Sequence, residues 1–366
     1  MNKSTLEEVI RIKKWLHEHP EVSNQEIKTQ EYLKEFIAKH LSQYRIVDEG
    51  KWFYCLKEID PFKKTIVLRA DHDAIVNSNQ VPFHGCGHDG HTANLLGLMI
   101  EDCSSPFNVI YLFQPAEENG TGAKLCSRLF ERHKVDAVFG LHNMPGLEKN
   151  CVYYGKDTVM CASVGYRIEL LGKQSHASEP EKGLNPAFVL SELVKVLEPL
   201  SSYRGFGPFE FQNLHFQSLV MATVIHVGVG AQNFGISPAN GTLCLTLRAA
   251  KESDLKQLEK FIVSFVDKWS SSFKVKLDCF DRFSETASHP ILLKNSLDKL
   301  EQSGLRVQPL DQPIRASEDF GYYSQFAPSL FLLVGAGNCP ALHQDNYVFP
   351  EEIFETCFEL FKTLIS

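Results

Sequence analysis

Nowhere in the 366 residues does lysine or arginine cluster into a basic run, no apolar stretch reaches the eighteen or so residues of a membrane-spanning helix, and the ten cysteines keep no compact spacing. Each absence excludes something. With no basic run and a net charge of −8, the chain has little to attract nucleic acid or an anionic membrane surface. The N-terminal MNKSTLEEVIRIKKWLHEH has no seven-residue apolar core before a cleavage site, so a cytoplasmic protein is expected. The cysteines sit in apolar segments such as WFYCLKE and ETCFELF, so most are expected to be reduced, buried thiols rather than parts of a disulfide framework. Internal repeats and low-complexity tracts are also missing. What is present is 43% hydrophobic and 22% charged residues in a chain longer than one core usually runs, which predicts two domains and leaves small-molecule or peptide chemistry open.

Ser4 and Glu7 form an apparent capping box, and Leu6, Val9, Ile10 and Leu16 then recur at helical spacing, predicting a helix to His17 that His19-Pro20 ends. His17 and His19 are read as polar groups at that helix end. Four short apolar runs follow, TIVLRA (65–70), NVIYLF (108–113), AVFGL (137–141) and SLFLLV (329–334), alternating with helical patterns such as TANLLGLMIEDC and GAKLCSRLFERH. They read as buried strands of a mostly parallel sheet flanked by helices, an α/β fold. Between 163 and 280 the order changes to β-α-β-β-α-β, the split βαβ unit of a ferredoxin-like domain inserted into the larger one. The expected organisation is a first domain over 1–162 and 281–366 with the insert at 163–280.

After the four runs come Asp71, His72 and Asp73, then Glu117 and Glu118, then His142, then His343. Ligands of open α/β sheets bind outside the carboxyl ends of the strands. HGCGHDGHTA (84–93) adds Cys86 and His88, whose thiolate and imidazole suit zinc, cobalt, nickel or manganese-type ions. Asp89 is either a ligand or an acceptor that orients a histidine, His91 is read as structural, and His84 stays open between the two. The adjacent carboxylates of Glu117 and Glu118 point different ways, so one can hold a metal while the other reaches its bound water as general base. A cysteine nucleophile pairing Cys86 with His88 or His142 would leave Glu117, Glu118 and His343 unused. A closed structural zinc site would keep its ligands in one compact finger, whereas these span 86 to 343.

RADHDA (69–74), HGCGHDGHTA (84–93), FQPAEENGTGAK (113–124), GLHNMP (140–145), GKQSHASEP (172–180), SEDF (317–320) and ALHQD (341–345) together resemble the signatures of the dinuclear-metal amidohydrolases that include hippurate hydrolase, N-acetyldiaminopimelate deacetylase and the indoleacetyl-amino-acid hydrolases. The resemblance spans nearly the whole chain. It implies a zinc-peptidase-like catalytic domain with an inserted lid that pairs two subunits into a homodimer. It also implies two divalent ions per subunit on Cys86, His88, Glu118, His142 and His343, with Glu117 as general base and His176 reaching the neighbouring subunit's site to support the oxyanion. The activity implied is removal of an acyl group from the nitrogen of an N-acyl amino acid or related small amide. A dipeptidase or aminopeptidase of the same superfamily is the enzymatic alternative, and a metal-free binding relic the non-enzymatic one.

Three departures from the family pattern stand out. His72 replaces the usual methionine and is expected to lean on its neighbours Asp71 and Asp73 rather than bind metal. The 75–82 connection is shorter than usual. Asn233, in QNFGISPANGTLCLTLR, only approximately follows the substrate-binding pattern, whereas Arg248 lines up as a carboxylate clamp.

Overall fold

The computed structural model describes residues 1–366. The chain lays down strands β1 (Arg45–Asp48), β2 (Phe53–Leu56), β3 (Thr65–Asp71), β4 (Asn108–Gln114), β5 (Ala137–Pro145) and β6 (Cys151–Tyr154). It then builds β7 (Ala162–Leu171), β8 (Val220–Val229), β9 (Asn240–Ala249) and β10 (Lys274–Phe283) of a second unit, and returns for β11 (Arg306–Pro309) and β12 (Ser329–Gly337). The first unit comprises Met1–Val159, Thr286–Pro313 and Glu318–Ser366, and the second Met160–Glu285 with Ile314–Ser317.

In the first unit an eight-stranded sheet has the order β1-β2-β4-β3-β5-β12-β6-β11. Its centre, β4-β3-β5-β12, is parallel, so the carboxyl ends of these four strands lie along one edge. Their apolar runs are buried almost throughout, as strands covered on both faces must be. Helix α1 (Lys3–Glu18) buries Val9, Ile12 and Leu16 at helical spacing and packs on α3 (His88–Ile100), which is buried along nearly its whole length. Gly97 permits the approach, since a Cβ there would lie 2.9 Å from Val9 Cγ2.

Three local expectations are corrected. The N-cap of α1 is Asn2, whose side chain accepts from Thr5 N at 2.9 Å, while Ser4 Oγ donates to Asn2 and forms no capping box. Helix α3 begins at His88, ahead of the TANLLGLMIEDC pattern that starts at Thr92, so the second half of HGCGHDGHTA is already helical. The GAKLCSRLFERH pattern breaks into short helices at Gly122–Cys126 and Leu129–Arg132.

The second unit is a four-stranded antiparallel sheet of order β8-β9-β7-β10, with α4 (Ala187–Leu197) following β7 and α5 (Glu252–Asp267) following β9. Alternate residues Val164, Tyr166, Ile168 and Leu170 of β7 join Leu190, Leu193 and Leu197 of α4 and Leu255, Leu258 and Ile262 of α5 in one core. This is the β-α-β-β-α-β pattern. The unit runs from Met160 to Glu285 rather than 163 to 280, and takes in 314–317 because Met160 bridges Ile314 and Cys161 N donates to Ile314 O and Ala316 O. No helix is long and apolar enough to cross a membrane, and all ten cysteines are free.

Candidate metal centre

The four parallel strands deliver their polar residues to one edge of the sheet. Asp71 closes β3 and leads to His72 and Asp73; Gln114 closes β4 and leads to Glu117 and Glu118; β5 carries His142 and Asn143; the loop after β12 carries His343. Between them Cys86 and Gly87 lead into α3, which opens with His88. Gly87 has φ +88°, and a Cβ on it would lie 2.6 Å from Asn143 Oδ1, so only glycine turns the chain there. Ala116 (φ +53°) and His343 (φ +67°) take the same left-handed conformation without being glycine, a strain that surrounding bonds must hold.

The donors converge. The ligand atoms of Cys86, His88 and His142 lie within 4.8 Å of one another, as do those of Cys86, Glu118 and His343, and those of His88, Glu117 and Glu118. The hydrogen bonds fix which nitrogens are free. His88 Nδ1 faces Asp73 O at 3.0 Å and Asp73 Oδ1 at 3.1 Å, so it carries the proton and donates, leaving the Nε2 lone pair toward the cluster. His142 Nδ1 donates to Asn143 O at 2.6 Å, leaving Nε2 3.3 Å from Cys86 Sγ. His88 Nε2 and Glu118 Oε1, 3.9 Å apart, are buried and have no hydrogen-bond partner. Glu118 Oε2 lies 3.5 Å from His343 Nε2. Unpartnered lone pairs on buried imidazole and carboxylate, beside a thiol, fit a borderline-soft divalent cation.

Electrostatics points the same way. Arg69, fully buried in β3, binds Gln114 at 2.8 Å, Asp71 at 2.7 Å, Glu318 at 2.8 Å and Asp319 at 2.9 Å. One guanidinium cannot keep three buried carboxylates ionised: against the cost of burial it holds Asp71 well below the usual carboxylate range, while burial leaves Glu318 raised and Asp319 well above it. Burial, then the charges of Glu318 and Glu118, push Glu117 well up. Burial disfavours a charged His88, yet with no cation present Asp71, Asp73 and Glu118 outweigh it and push the ring up to about 10, so a cation at Nε2 would take the place of a proton. Burial, then Glu118 and Glu117, raise the Cys86 thiol far above its ordinary value, the reverse of what a free thiolate nucleophile needs. The cluster has an excess of negative charge that a cation would offset.

Other expected site residues are placed differently. His72 is buried, but neither ring nitrogen has a hydrogen-bond partner, so the expected pairing with Asp71 and Asp73 is not formed; burial pushes its ring down to about 4 and keeps it neutral. His84 is likewise buried and unpartnered. Asp89 orients a histidine, but from α1: it accepts from His17 Nδ1 at 2.8 Å. His91 is tied at both nitrogens, to Asp71 at 2.6 Å and Asn143 at 2.5 Å. The short 75–82 connection is a hairpin, Ile75–Val76 against Pro82–Phe83, whose Ser78 binds Asp345 beside His343.

The remaining three belong to the second unit. His176 is exposed, pairs with Ile236, and has Nδ1 2.6 Å from Ser178 Oγ. Asn233 closes its own turn by accepting from Gly235 N, and Arg248 Nη1 donates to Arg315 O and to Ser317.

Sequence reasoning missed Arg69, Gln114, Asn143, Glu318 and Asp319. The signal for Arg69 was available, since a charged residue inside a buried strand needs buried partners.

An uncharacterized hydrolase of Staphylococcus aureus is 29% identical, covering 99% of this chain and 98% of its own. A crystal structure of a candidate aminohydrolase from methicillin-resistant Staphylococcus aureus superposes with a TM-score of 0.86 at 24% identity, covering 99% of this chain and 96% of that one. The Bacillus subtilis YXEP protein, a dinuclear metal binding peptidase from the M20 family, superposes with a TM-score of 0.79 at 20% identity, covering 100% and 98%. At such identities the two structures establish the fold. The family model of peptidase family M20/M25/M40 matches residues 67–366, a span that contains every donor described above, and the chain belongs to that family of hydrolases.

Proposed function

We propose that the chain is a metal-dependent amide hydrolase that removes an acyl group from the nitrogen of an N-acyl amino acid or a related small amide. The observation that carries this reading is Glu117: a buried carboxylate placed beside a convergent set of metal donors, of which His88 Nε2 and Glu118 Oε1 have no hydrogen-bond partner. Cys86, His88, Glu118, His142 and His343 would hold divalent ions, and the overlap of the donor groups at Cys86 supports two. Zinc, manganese, cobalt and nickel all suit these donors. Such ions supply Lewis acidity to a carbonyl and acidity to water.

The chain's own groups account for the proton path. Glu117 accepts a proton from the attacking water as its oxygen bonds to the acyl carbon, then gives that proton to the amine nitrogen as the C–N bond breaks. The only hydrogen bond to its side chain among those described is from Asp319 N, at 3.3 Å, which leaves it available. His88 and His142 stay oriented through their Nδ1 donors, and Arg69 holds Asp71, Glu318 and Asp319 around them. His176, supplied across a homodimer through the second unit, would support the oxyanion, and Arg248 would clamp a substrate carboxylate.

The test combines elemental metal analysis with amine release from N-acetyl, N-benzoyl and dipeptide substrates, before and after chelation. About two metals per chain and chelator-sensitive release from acyl substrates is the expected result. Release only where the acyl half has a free amine would replace this reading with a dipeptidase. No metal and no turnover after adding manganese, zinc, cobalt or nickel would make the chain a binding relic. Glu117→Gln should keep metal occupancy and lose turnover by about 10²- to 10⁴-fold; retained turnover would remove Glu117 from its role.

A further inference from the structure

The segment between α1 and α2 (Ile27–His40) carries no metal donor, yet it touches the Glu117–Glu118 turn from two sides. Val22 bridges Ala74, and Ala74 N donates to Glu21 O at 2.8 Å, which seats the segment beside the end of β3. Ser23 Oγ donates to Asp73 Oδ2 at 2.7 Å, and the same oxygen accepts from Glu118 N at 3.0 Å. Glu26 Oε1 accepts from Ala116 N at 2.8 Å. Glu117 is therefore bracketed: the N–H before it is held by Glu26 and the N–H after it by Asp73.

Glu26 is only 3% exposed, and its carboxylate is not used where its position would suggest. It is the N-cap residue of α2, but its side chain makes no cap bond. Glu21 serves that helix instead, accepting from Lys28 N at 3.2 Å and Thr29 N at 2.8 Å. Burying a carboxylate costs free energy unless it is bonded, and what Glu26 gains is Ala116, the left-handed residue at φ +53°. That conformation directs the chain so that Ala116 O accepts from Gly122 N at 2.9 Å and Thr121 N at 3.3 Å, closing the turn.

We infer that Glu26 is a positioning residue for the reaction: by holding Ala116 N it fixes the strained turn that sets the separation of the Glu117 and Glu118 carboxylates. The inference rests on the assignment of those two carboxylates to proton transfer and metal binding. Burial, then the charge of Asp73, push the Glu26 carboxyl up to about 7, so glutamine, which keeps the acceptor oxygen, is a close mimic of its protonated form.

The experiment compares wild type, Glu26→Gln and Glu26→Ala by three readouts on the full chain. Hydrogen exchange of the 116–122 amides without metal reads the turn itself. Calorimetry with manganese reads divalent binding, and amine release at saturating metal separates kcat from KM. Glu26→Ala should speed exchange at 116–122, weaken manganese binding by about 10- to 100-fold and lower kcat by up to about 10²-fold with KM little changed, whereas Glu26→Gln restores all three. Equal behaviour of the two variants, or an alanine variant with unchanged exchange in the turn, overturns the inference. A wild type that binds no manganese and releases no amine sinks the proposed function instead, while the exchange comparison still decides whether Glu26 holds the turn.

Discussion

A single side chain, Arg69, shows what the site demands of its surroundings. It satisfies Asp71, Glu318, Asp319 and Gln114 from inside a strand with no exposure to water. Replacing it with leucine strips three buried carboxylates of their cation. The expected loss is about 3–5 kcal/mol of stability, read as a shift of the urea midpoint at constant slope. An unchanged midpoint would mean that those carboxylates take up protons at little cost. The donor residues were legible because each follows an apolar run: Glu118, His142 and His343 stand out against strand ends, and Cys86 and His88 against a glycine pair. The partners that orient them were not, since neither Asn143 nor Glu318 differs in local sequence from an ordinary polar residue. His72 misled for a related reason: flanking aspartates look like partners, but successive residues at a strand end point apart.

At the level of elements, the parallel strands were readable from short buried runs, and the second unit from alternating burial. The outer strands β1, β2, β6 and β11 were not, because each is only four residues long. One contact of these outer strands carries a pH dependence. His133, which ends the Leu129–Arg132 helix, sits 2.9 Å from the Tyr54 hydroxyl on β2. Burial, then the charges of Arg45 and Arg132, hold its ring below 6.5. Above 6.5 both folded and unfolded chains carry it neutral. As pH falls below 6.5 the unfolded chain takes up a proton that the folded one resists, so stability is lost. The gap in unfolding free energy between wild type and His133→Asn should therefore narrow from pH 7 toward pH 5; a constant gap would show that the ring titrates alike in both states.

For the whole molecule, each of the two units has its own core, and every metal donor belongs to the first. Added divalent metal should slow amide exchange around 71–73, 84–92, 114–122 and 341–347 and leave β7, β8, β9 and β10 as they were. Equal protection across both units would argue that metal stabilises only a global folding equilibrium. The spacing of the donors also sets a timetable. Cys86 and His88 leave the ribosome early, Glu118 and His142 follow, and the entire second unit is synthesised before His343 emerges. A nascent chain stalled before that point exposes a thiol and imidazoles that no complete shell protects. A complete donor set thus exists only once synthesis has passed His343, and a chain held before that point would depend on the cell's control of free metal to keep the wrong ion out.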